Sequence, residues 1–186
     1  MIASVVDVEP VAFIDYEPSA PAPGRLALVQ RFANTVDREH GREALHSPQA
    51  LRTLLLDLGL LDHDAPVGVR ELEAAHDLRD RIQAIALANN GVQTDAQLEA
   101  ELVVRIDDER SVLESPRHDV HGALAELVGI VYTAMADGTW SRLKACRADS
   151  CHWRFYDRSR NRSAVWCSMA VCGNRTKTRA YRARRS

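Results

Sequence analysis

The sequence predicts a mainly α-helical body with a small β-hairpin, followed by a compact C-terminal module that contains all of the cysteines. Three observations support this prediction. Apolar residues recur at helical spacing through most of the 186-residue chain. Only 5% of the residues are aromatic, which favours helices built on Leu, Ala and Val over a β-sandwich. The four cysteines lie within the last 41 residues, where other apolar side chains are few.

Four segments of the body have the apolar spacing of helices, at about residues 25–40, 48–58, 69–89 and 118–137. Ser47 followed by Pro48 is typical of a helix start, because Ser caps free backbone N–H groups and Pro is tolerated at the first helical position. Gly91 predicts the end of the third helix. Thr94 with Gln97 has the pattern of a capping box and predicts one further short helix.

The remaining segments of the body predict a hairpin and a linker. Apolar residues on either side of an acidic turn predict a small β-hairpin within residues 102–114. Residues 1–23 end in prolines and small residues, which predicts a flexible arm, either a linker or an extended segment. The predicted organisation is therefore an arm at 1–23, a helical domain at 24–139 and the cysteine-containing module at 140–186.

Charge is divided unevenly along the chain. The net charge is −2, yet residues 146–186 contain 11 Lys and Arg against 2 acids, and residues 1–145 contain 13 basic against 24 acidic residues. Such asymmetry is typical of a tail that binds a polyanion, attached to an acidic body. A basic tail that only adds solubility, or that is neutralised within the molecule, is the alternative.

Other signals favour a cytoplasmic protein that is not an enzyme. No apolar run reaches the roughly 18 residues of a membrane span, so we expect no membrane partner. The N-terminal stretch is acidic and lacks the basic start of a signal peptide, so we expect a cytoplasmic location. The body shows no nucleophile–histidine arrangement, glycine-rich phosphate loop or His-Glu-x-x-His motif, so we expect no catalytic residues.

The cysteines form two pairs, Cys146-x4-Cys151 and Cys167-x4-Cys172, separated by fifteen residues. Two thiol pairs brought together by a loop are typical of a tetrahedral Zn²⁺ site. Two disulfides are the alternative, which a reducing cytosol disfavours. Four thiolates would fill the coordination sphere, so we expect one structural zinc ion per chain. Such an ion also explains how a module with so small a core folds, because structural zinc contributes on the order of 10–16 kcal/mol of apparent binding energy.

The same region resembles the CGNR zinc finger. That finger is named for four residues that stand here as Cys172-Gly173-Asn174-Arg175, and the stretches WSRLKAC, RFYDRSRNRS and WCSM are also similar to its pattern. Members of this family commonly carry an N-terminal ABATE domain, and GRLALVQRFANTVD is similar to the opening motif of that domain. One departure is that residues 29–31 read Val-Gln-Arg, where the family usually has an acidic residue.

The resemblance implies an ABATE-like, mainly helical body with a small β-hairpin and a treble-clef-like zinc finger. It implies that the metal ligands are Cys146, Cys151, Cys167 and Cys172. It also implies a role in bacterial transcription regulation, often connected with stress.

A basic helix is predicted directly after the last cysteine. Gly173 would allow a tight turn, and Asn174 would cap a helix that contains no Pro or Gly. Arginine outnumbers lysine by ten to one in residues 146–186, and its planar fork suits phosphates and guanine edges. We therefore expect DNA binding through this helix and the preceding loop. The predicted contacts are Arg158, Arg160, Arg162, Asn174, Arg175, Lys177, Arg179, Arg182, Arg184 and Arg185.

The predicted function is a DNA-binding transcription regulator whose body senses a small-molecule effector or mediates homodimerisation. A non-enzymatic RNA- or protein-binding zinc module is the alternative. RNA would be favoured by a module that stacks bases on Trp153, Phe155 or Tyr156, whereas we expect these rings to pack around the metal.

Overall fold

The computed structural model describes residues 21–62 and 65–185. Within these ranges it contains five α-helices: α1 Leu26–Ala33, α2 Pro48–Asp57, α3 Val69–Ala88, α4 Val120–Ala136 and α5 Asn174–Ala183. A 3-10 turn forms at Trp140–Arg142, and a π-helical turn at Met169–Gly173 runs directly into α5. None of the helices in the described ranges is both long enough and apolar enough to span a bilayer.

Six short strands form three separate antiparallel pairs. They are β1 Val36–Asp37, β2 Arg42–Glu43, β3 Val103–Ile106, β4 Ser111–Glu114, β5 Leu143–Ala145 and β6 Arg154–Tyr156, paired in that order. The pair β3–β4 is the predicted hairpin, in register from Val103 opposite Glu114 to Ile106 opposite Ser111. The pair β5–β6 brings the chain on either side of the first two cysteines together.

Helix ends follow the predicted local signals. The Ser47 hydroxyl accepts a hydrogen bond from the backbone N–H of Ala50 at 3.1 Å, so Ser47 caps α2 directly before Pro48. Gly91 follows α3 in a left-handed conformation, with φ +79°. Residues with side chains rarely adopt this conformation, which commonly ends helices by turning the chain so that its last carbonyl groups find hydrogen-bond donors. The longest helix therefore stops where its sequence predicts.

A single apolar core joins the body to the first part of the C-terminal module. Helix α1 packs against both α3 and α4, and its residues Val29 and Phe32 are completely buried. Trp140 and Leu143 belong to the same buried cluster, and Tyr156 packs against it. The body and the β5–β6 pair are therefore packed as one unit, although the sequence divides them at residue 139.

Two predicted helical stretches of the body are wrong. The first predicted helix ends at Ala33, and Val36 lies in β1, because Asn34 and Thr35 turn the chain and Thr35 donates its hydroxyl hydrogen to the Phe32 carbonyl at 2.9 Å. The predicted capping box at Thr94 starts no helix. Its hydroxyl instead accepts from the N–H of Ala96 at 3.1 Å, which stabilises a local turn.

The end of the predicted arm is part of the packed structure. Residues 1–20 of that arm lie outside the described residues. Ala22 is buried, and its backbone N–H donates to the Gln30 side-chain carbonyl at 2.6 Å. The expectation of a flexible arm reaching residue 23 is therefore wrong for Ala22, because its methyl group packs into the body core.

Candidate metal centre and basic surface

The four cysteines are buried together where β5, β6 and the π-helical turn meet. Cys146 directly follows β5, Cys151 precedes β6, and Cys172 lies in the turn that leads into α5. Backbone hydrogen bonds shape the first pair: the N–H of Cys146 donates to the Trp153 carbonyl at 2.9 Å, and the N–H of Trp153 donates to Cys151 Sγ at 3.5 Å. A strand pair followed by a helix thus carries both pairs of thiols, as the resemblance implied.

The spacing of the sulfur atoms suits one tetrahedral zinc ion. All four Sγ atoms lie within 4.8 Å of one another, and none forms a disulfide. Cys167 Sγ lies 3.7 Å from Cys151 Sγ and 3.6 Å from Cys172 Sγ. Zinc–sulfur bonds of about 2.3 Å place tetrahedral sulfurs about 3.8 Å apart, which agrees with these distances. The cluster therefore fits one structural zinc bound by Cys146, Cys151, Cys167 and Cys172.

The thiols cannot all ionise without a cation. Hydrogen bonds from Cys151 and Cys167 lower the pKa of Cys146 to about 2. The contact with Cys146 in turn raises the pKa of Cys151 to about 12 and also raises the pKa of Cys167. Burial raises the pKa of Cys172. Zn²⁺ would offset two of the four negative charges and so reduce the repulsion between neighbouring thiolates, which is the chemistry that such a donor set requires.

Aromatic rings close the metal site from solvent. Trp153 and Phe155 are buried in one cluster with the cysteines, and Trp166 packs against it. Tyr156 is half-buried and packs against the body core instead. The expectation that the rings of Trp153 and Phe155 form the core of the module is confirmed.

Gly173 and Asn174 do not play the local roles that the sequence predicted. Gly173 has an ordinary helical φ of −63° rather than a turn conformation. A side chain at Gly173 would instead collide with Met169, whose Sδ lies 2.5 Å from the position of an added Cβ. Asn174 does not cap α5, because the chain is already helical before it, and its side-chain amide donates to the Ala170 carbonyl at 3.2 Å.

A buried ion pair shapes the loop that contains Arg158, Arg160 and Arg162. Lys144 Nζ lies 2.8 Å from Asp157 Oδ2, and their side chains are 5% and 0% exposed. Burial alone would raise the pKa of Asp157, but hydrogen bonds from Lys144 and Ser159 lower it below its ordinary value. Lys144 also donates to the carbonyl of Arg162 at 2.6 Å, so the loop folds back on itself.

The three loop arginines therefore do not follow an extended chain. Arg162 adopts a left-handed φ of +51°, and its backbone N–H donates to the Ser159 carbonyl at 3.2 Å, which closes a turn. All three side chains are exposed. Arg158 donates to the Pro21 carbonyl at 2.8 Å and lies over the Tyr156 ring.

The remaining predicted contacts lie on α5 and at its root. Arg175 is paired with Glu39 of the body, and Arg185 donates to the hydroxyl of Tyr181 at 2.6 Å. Tyr181 is 52% exposed, so it does not lie against the metal site. The other cations of α5 and its end are exposed, namely Lys177, Arg179, Arg182 and Arg184.

Asparagine side chains of the body hold the finger in place, and sequence reasoning missed them. Asn34 forms two hydrogen bonds with the backbone of Arg154, both of 2.9 Å. Asn89 donates to the carbonyls of Trp140 and Leu143 at 2.8 Å. The available signals were the stretch GRLALVQRFANTVD, which contains Asn34, and the polar residues at the end of α3.

Asn90 extends this clamp. Its side-chain amide donates to the carbonyl of Ala145 at 2.9 Å and to that of Val165 at 3.0 Å, on the two chain segments that flank the metal site. Asn89 and Asn90, which directly follow α3, thus bind the 3-10 turn, strand β5 and the segment around Val165 through their side-chain amides. Such amides satisfy backbone carbonyls that would otherwise be buried without partners.

Comparison with known families agrees with this architecture. The ABATE family, described as "putative stress-induced transcription regulator", matches residues 26–138. The CGNR zinc finger family matches residues 142–185, which contain all four cysteines. The comparison with curated proteins found no match. Because the first match covers more than half of the chain, the protein belongs to the ABATE family and carries a CGNR zinc finger at its C-terminal end.

Proposed function

We propose that this protein is a transcription regulator that binds double-stranded DNA through α5 and the arginine loop of its zinc finger. The observation that carries the proposal is the exposure of α5. None of its residues is buried, although it spans ten residues and is attached to the metal site through Cys172. The role in transcription is that of the family; DNA as its target is our own proposal.

The composition of α5 favours a polyanionic partner. Arg175, Arg179 and Arg182 follow one ridge of the helix, while Lys177 and Arg184 lie on other sides. Like charges at this spacing repel one another, and short helices without packing are marginally stable in water. A phosphate backbone would relieve the repulsion between these side chains.

The remaining chemistry supports a binding role rather than catalysis. Four thiolates would fill the coordination sphere of the metal, which leaves no open position for substrate or water. We also propose a cytoplasmic location, where reducing conditions would keep the cysteines available to the metal.

Binding of random-sequence duplex DNA at several salt concentrations tests the proposal. If about six cations contact phosphates, the logarithm of affinity should fall against the logarithm of salt concentration with a slope of about −5. The double variant R179A/R182A should reduce that slope by about two, while the zinc content stays unchanged. A matched control is R105A/R110A, which removes two exposed arginines from the β3–β4 hairpin.

The same titration separates DNA from the alternatives. A slope near zero, or equal losses in both double variants, would contradict DNA binding by α5. Single-stranded RNA that binds more tightly than the duplex would assign the basic surface to RNA, and Tyr181 is an exposed ring on which a base could stack. Loss of duplex binding only in R179A/R182A is the expected result.

For the body, we propose that an apolar small molecule acts as effector in a groove of about 610 Å³. Its volume lies within the usual range of ligand pockets, and apolar side chains form most of its wall. The groove lies between α3, α4 and the β3–β4 hairpin, and its lining includes Ile85, Leu98, Leu102, Leu113, Val128 and Tyr132.

One exposed valine and one exposed isoleucine of β3 provide a matched test of the effector site. Val104 lines the groove, whereas Ile106 points to the same face of the strand outside the lining. The variant V104R should weaken binding of the fluorescent apolar probe anilinonaphthalene sulfonate, and I106R should leave it unchanged. Equal binding by both variants contradicts the effector site. A dimer that V104R alone disrupts, measured by light scattering, would assign this face to a second copy of the chain.

A further inference from the structure

Arg154 carries a positive charge into the interior where the finger meets the body. Its side chain is 0% exposed at the start of β6. The Nη1 atom donates to Gln83 Oε1 at 3.0 Å and to the His152 carbonyl at 3.1 Å, and both acceptors are neutral. The Nε and Nη2 atoms have no hydrogen-bond partner in the part of the chain that the structure describes.

Other cations surround this side chain. Burial lowers the pKa of Arg154 to about 9, and the charges of Arg79 and Arg38 act in the same direction. Arg79 is itself buried, although its Nη1 is paired with Glu43 at 2.7 Å. The charge of the Asp80 carboxylate acts in the opposite direction, but its effect is smaller than that of Arg79 or Arg38, and the same carboxylate lies 3.7 Å from Arg38 and 3.8 Å from Arg79. A buried cation without a close anion is strongly unfavourable, so a further negative charge near Arg154 would stabilise the interface.

The metal centre can supply that charge. Arg154 follows Cys151 by three residues, and its Nη1 bonds to the carbonyl of His152, directly after this cysteine. A zinc ion held by four thiolates carries a net negative charge. Arg154 therefore contacts the backbone of the turn that contains Cys151, one ligand of an anionic centre.

We propose that Arg154 is the counter-charge of the zinc-bound thiolates and couples metal binding to attachment of the finger on the body. The same residue binds Gln83 of α3 through its side chain and Asn34 through its backbone. With zinc bound, its charge is balanced. Without zinc, a buried cation remains unbalanced at the interface, so the finger detaches from α3 and the basic surface loses its orientation. This inference does not depend on DNA binding.

Two substitutions of Arg154 in the full chain test the coupling. R154M keeps a similar apolar shape without the charge, R154K keeps the charge, and R158M removes an exposed arginine of the same finger as a control. In competition with a chromophoric zinc chelator, R154M should bind zinc about tenfold more weakly than the parent chain, as is typical when a group that supports metal ligands is lost. R154K should recover most of the affinity, and R158M should match the parent.

Thermal unfolding of zinc-loaded and zinc-stripped protein provides the second readout. R154M should lower the melting temperature of the loaded protein but leave that of the stripped protein unchanged or higher, because the unbalanced charge is gone. If the stripped chain shows no cooperative transition, the chelator competition decides alone.

Three results would overturn the assignment. One is equal zinc affinity of R154M and the parent chain. Another is an equal fall in melting temperature with and without zinc, which would make Arg154 a purely structural residue. The third is stabilisation of the parent, but not of R154M, by inorganic phosphate, which would assign the guanidinium to an external anion.

Discussion

Glu39 and Arg175 join the body to the root of the basic helix. Arg175 Nη1 and Nη2 lie 2.5 and 3.1 Å from the two carboxylate oxygens of Glu39, across 136 residues of sequence. The Asp37 carboxylate accepts a hydrogen bond from the backbone N–H of Glu39 at 3.0 Å and so stabilises the turn that contains Glu39. The hydrogen bond that Arg175 donates to Glu39 raises the pKa of Arg175, so this arginine stays charged and paired with the carboxylate. Arg175, which is one of the predicted nucleic-acid contacts, is therefore paired with a carboxylate of the body.

Neutralising Glu39 should strengthen DNA binding. In E39Q, Arg175 loses its carboxylate partner and a negative charge disappears from the binding surface. We expect a higher affinity for duplex DNA and a salt slope that is steeper by about one, since one more cation can contact phosphate.

The control for this prediction is E109Q, which removes an exposed carboxylate from the distant β3–β4 turn. It should leave the slope unchanged. Weaker binding by E39Q would mean that the pair orients α5 and that Arg175 does not contact phosphate.

Separating Lys144 from Asp157 should strongly destabilise the finger. Either K144M or D157N leaves one partner of a buried ion pair uncompensated, which costs about 3–5 kcal/mol when measured by urea unfolding of the zinc-loaded protein. The double variant should lose less than the sum of the single variants, because it leaves no unpaired charge. Additive losses would contradict a direct interaction between the two side chains.

Loss of one zinc ligand should affect the body as well as the finger. C172S should abolish the stoichiometric zinc of the purified protein, as measured by elemental analysis. Because Asn34, Asn89 and Asn90 bind backbone groups of the C-terminal module, their amides and the end of α3 should exchange hydrogen faster in this variant.

The control is V171S, which changes an exposed side chain of the same turn. It should keep one zinc per chain and the exchange rates of the parent. Unchanged exchange in α3 of C172S would mean that the body is independent of the metal centre.

The cap of α4 should show a measurable dependence on pH. Asp119 accepts from the N–H of Gly122 at 2.9 Å, and the Arg117 guanidinium is the main cause that lowers its pKa to about 2. A lowered carboxylate pKa contributes stability above the ordinary value near pH 4, and this stability is lost as pH falls towards 2. The side chain is partly exposed, so solvent screening keeps the charge contribution below about 1 kcal/mol.

Two substitutions separate the cap from the charge. D119A should cost about 1 kcal/mol at neutral pH because the N-terminal amides of α4 lose their acceptor. D119N should keep most of the cap, and the stability difference between D119N and the parent should shrink as pH falls from 4 to 2. A constant difference across that window, in urea unfolding of both proteins, would contradict the lowered pKa.

Much of this protein could be predicted from residues close together in the chain. Ser47 starts α2, the alternation around an acidic turn produces β3 and β4, and the two cysteine pairs come together around one metal site. Each of these features depends on interactions within a few residues, or on residue types whose coordination chemistry permits few arrangements. The wrong predictions also concern local features. The Thr94 hydroxyl accepts a hydrogen bond within a turn and does not cap a helix, and Gly173 is small because Met169 packs against it, not because its backbone needs a special conformation.

The sequence by itself determined the helical body, the hairpin, the metal-binding cysteines and the basic C-terminal helix. Only the tertiary structure decided that the finger shares the core of the body, that Glu39 occupies Arg175, and that Arg154 is buried against α3. The contacts of Glu39 with Arg175 and of Gln83 with Arg154 join residues that are 136 and 71 positions apart. Periodicity and caps report only the neighbours of a residue along the chain, whereas the partner of a buried polar group is set by which elements pack together.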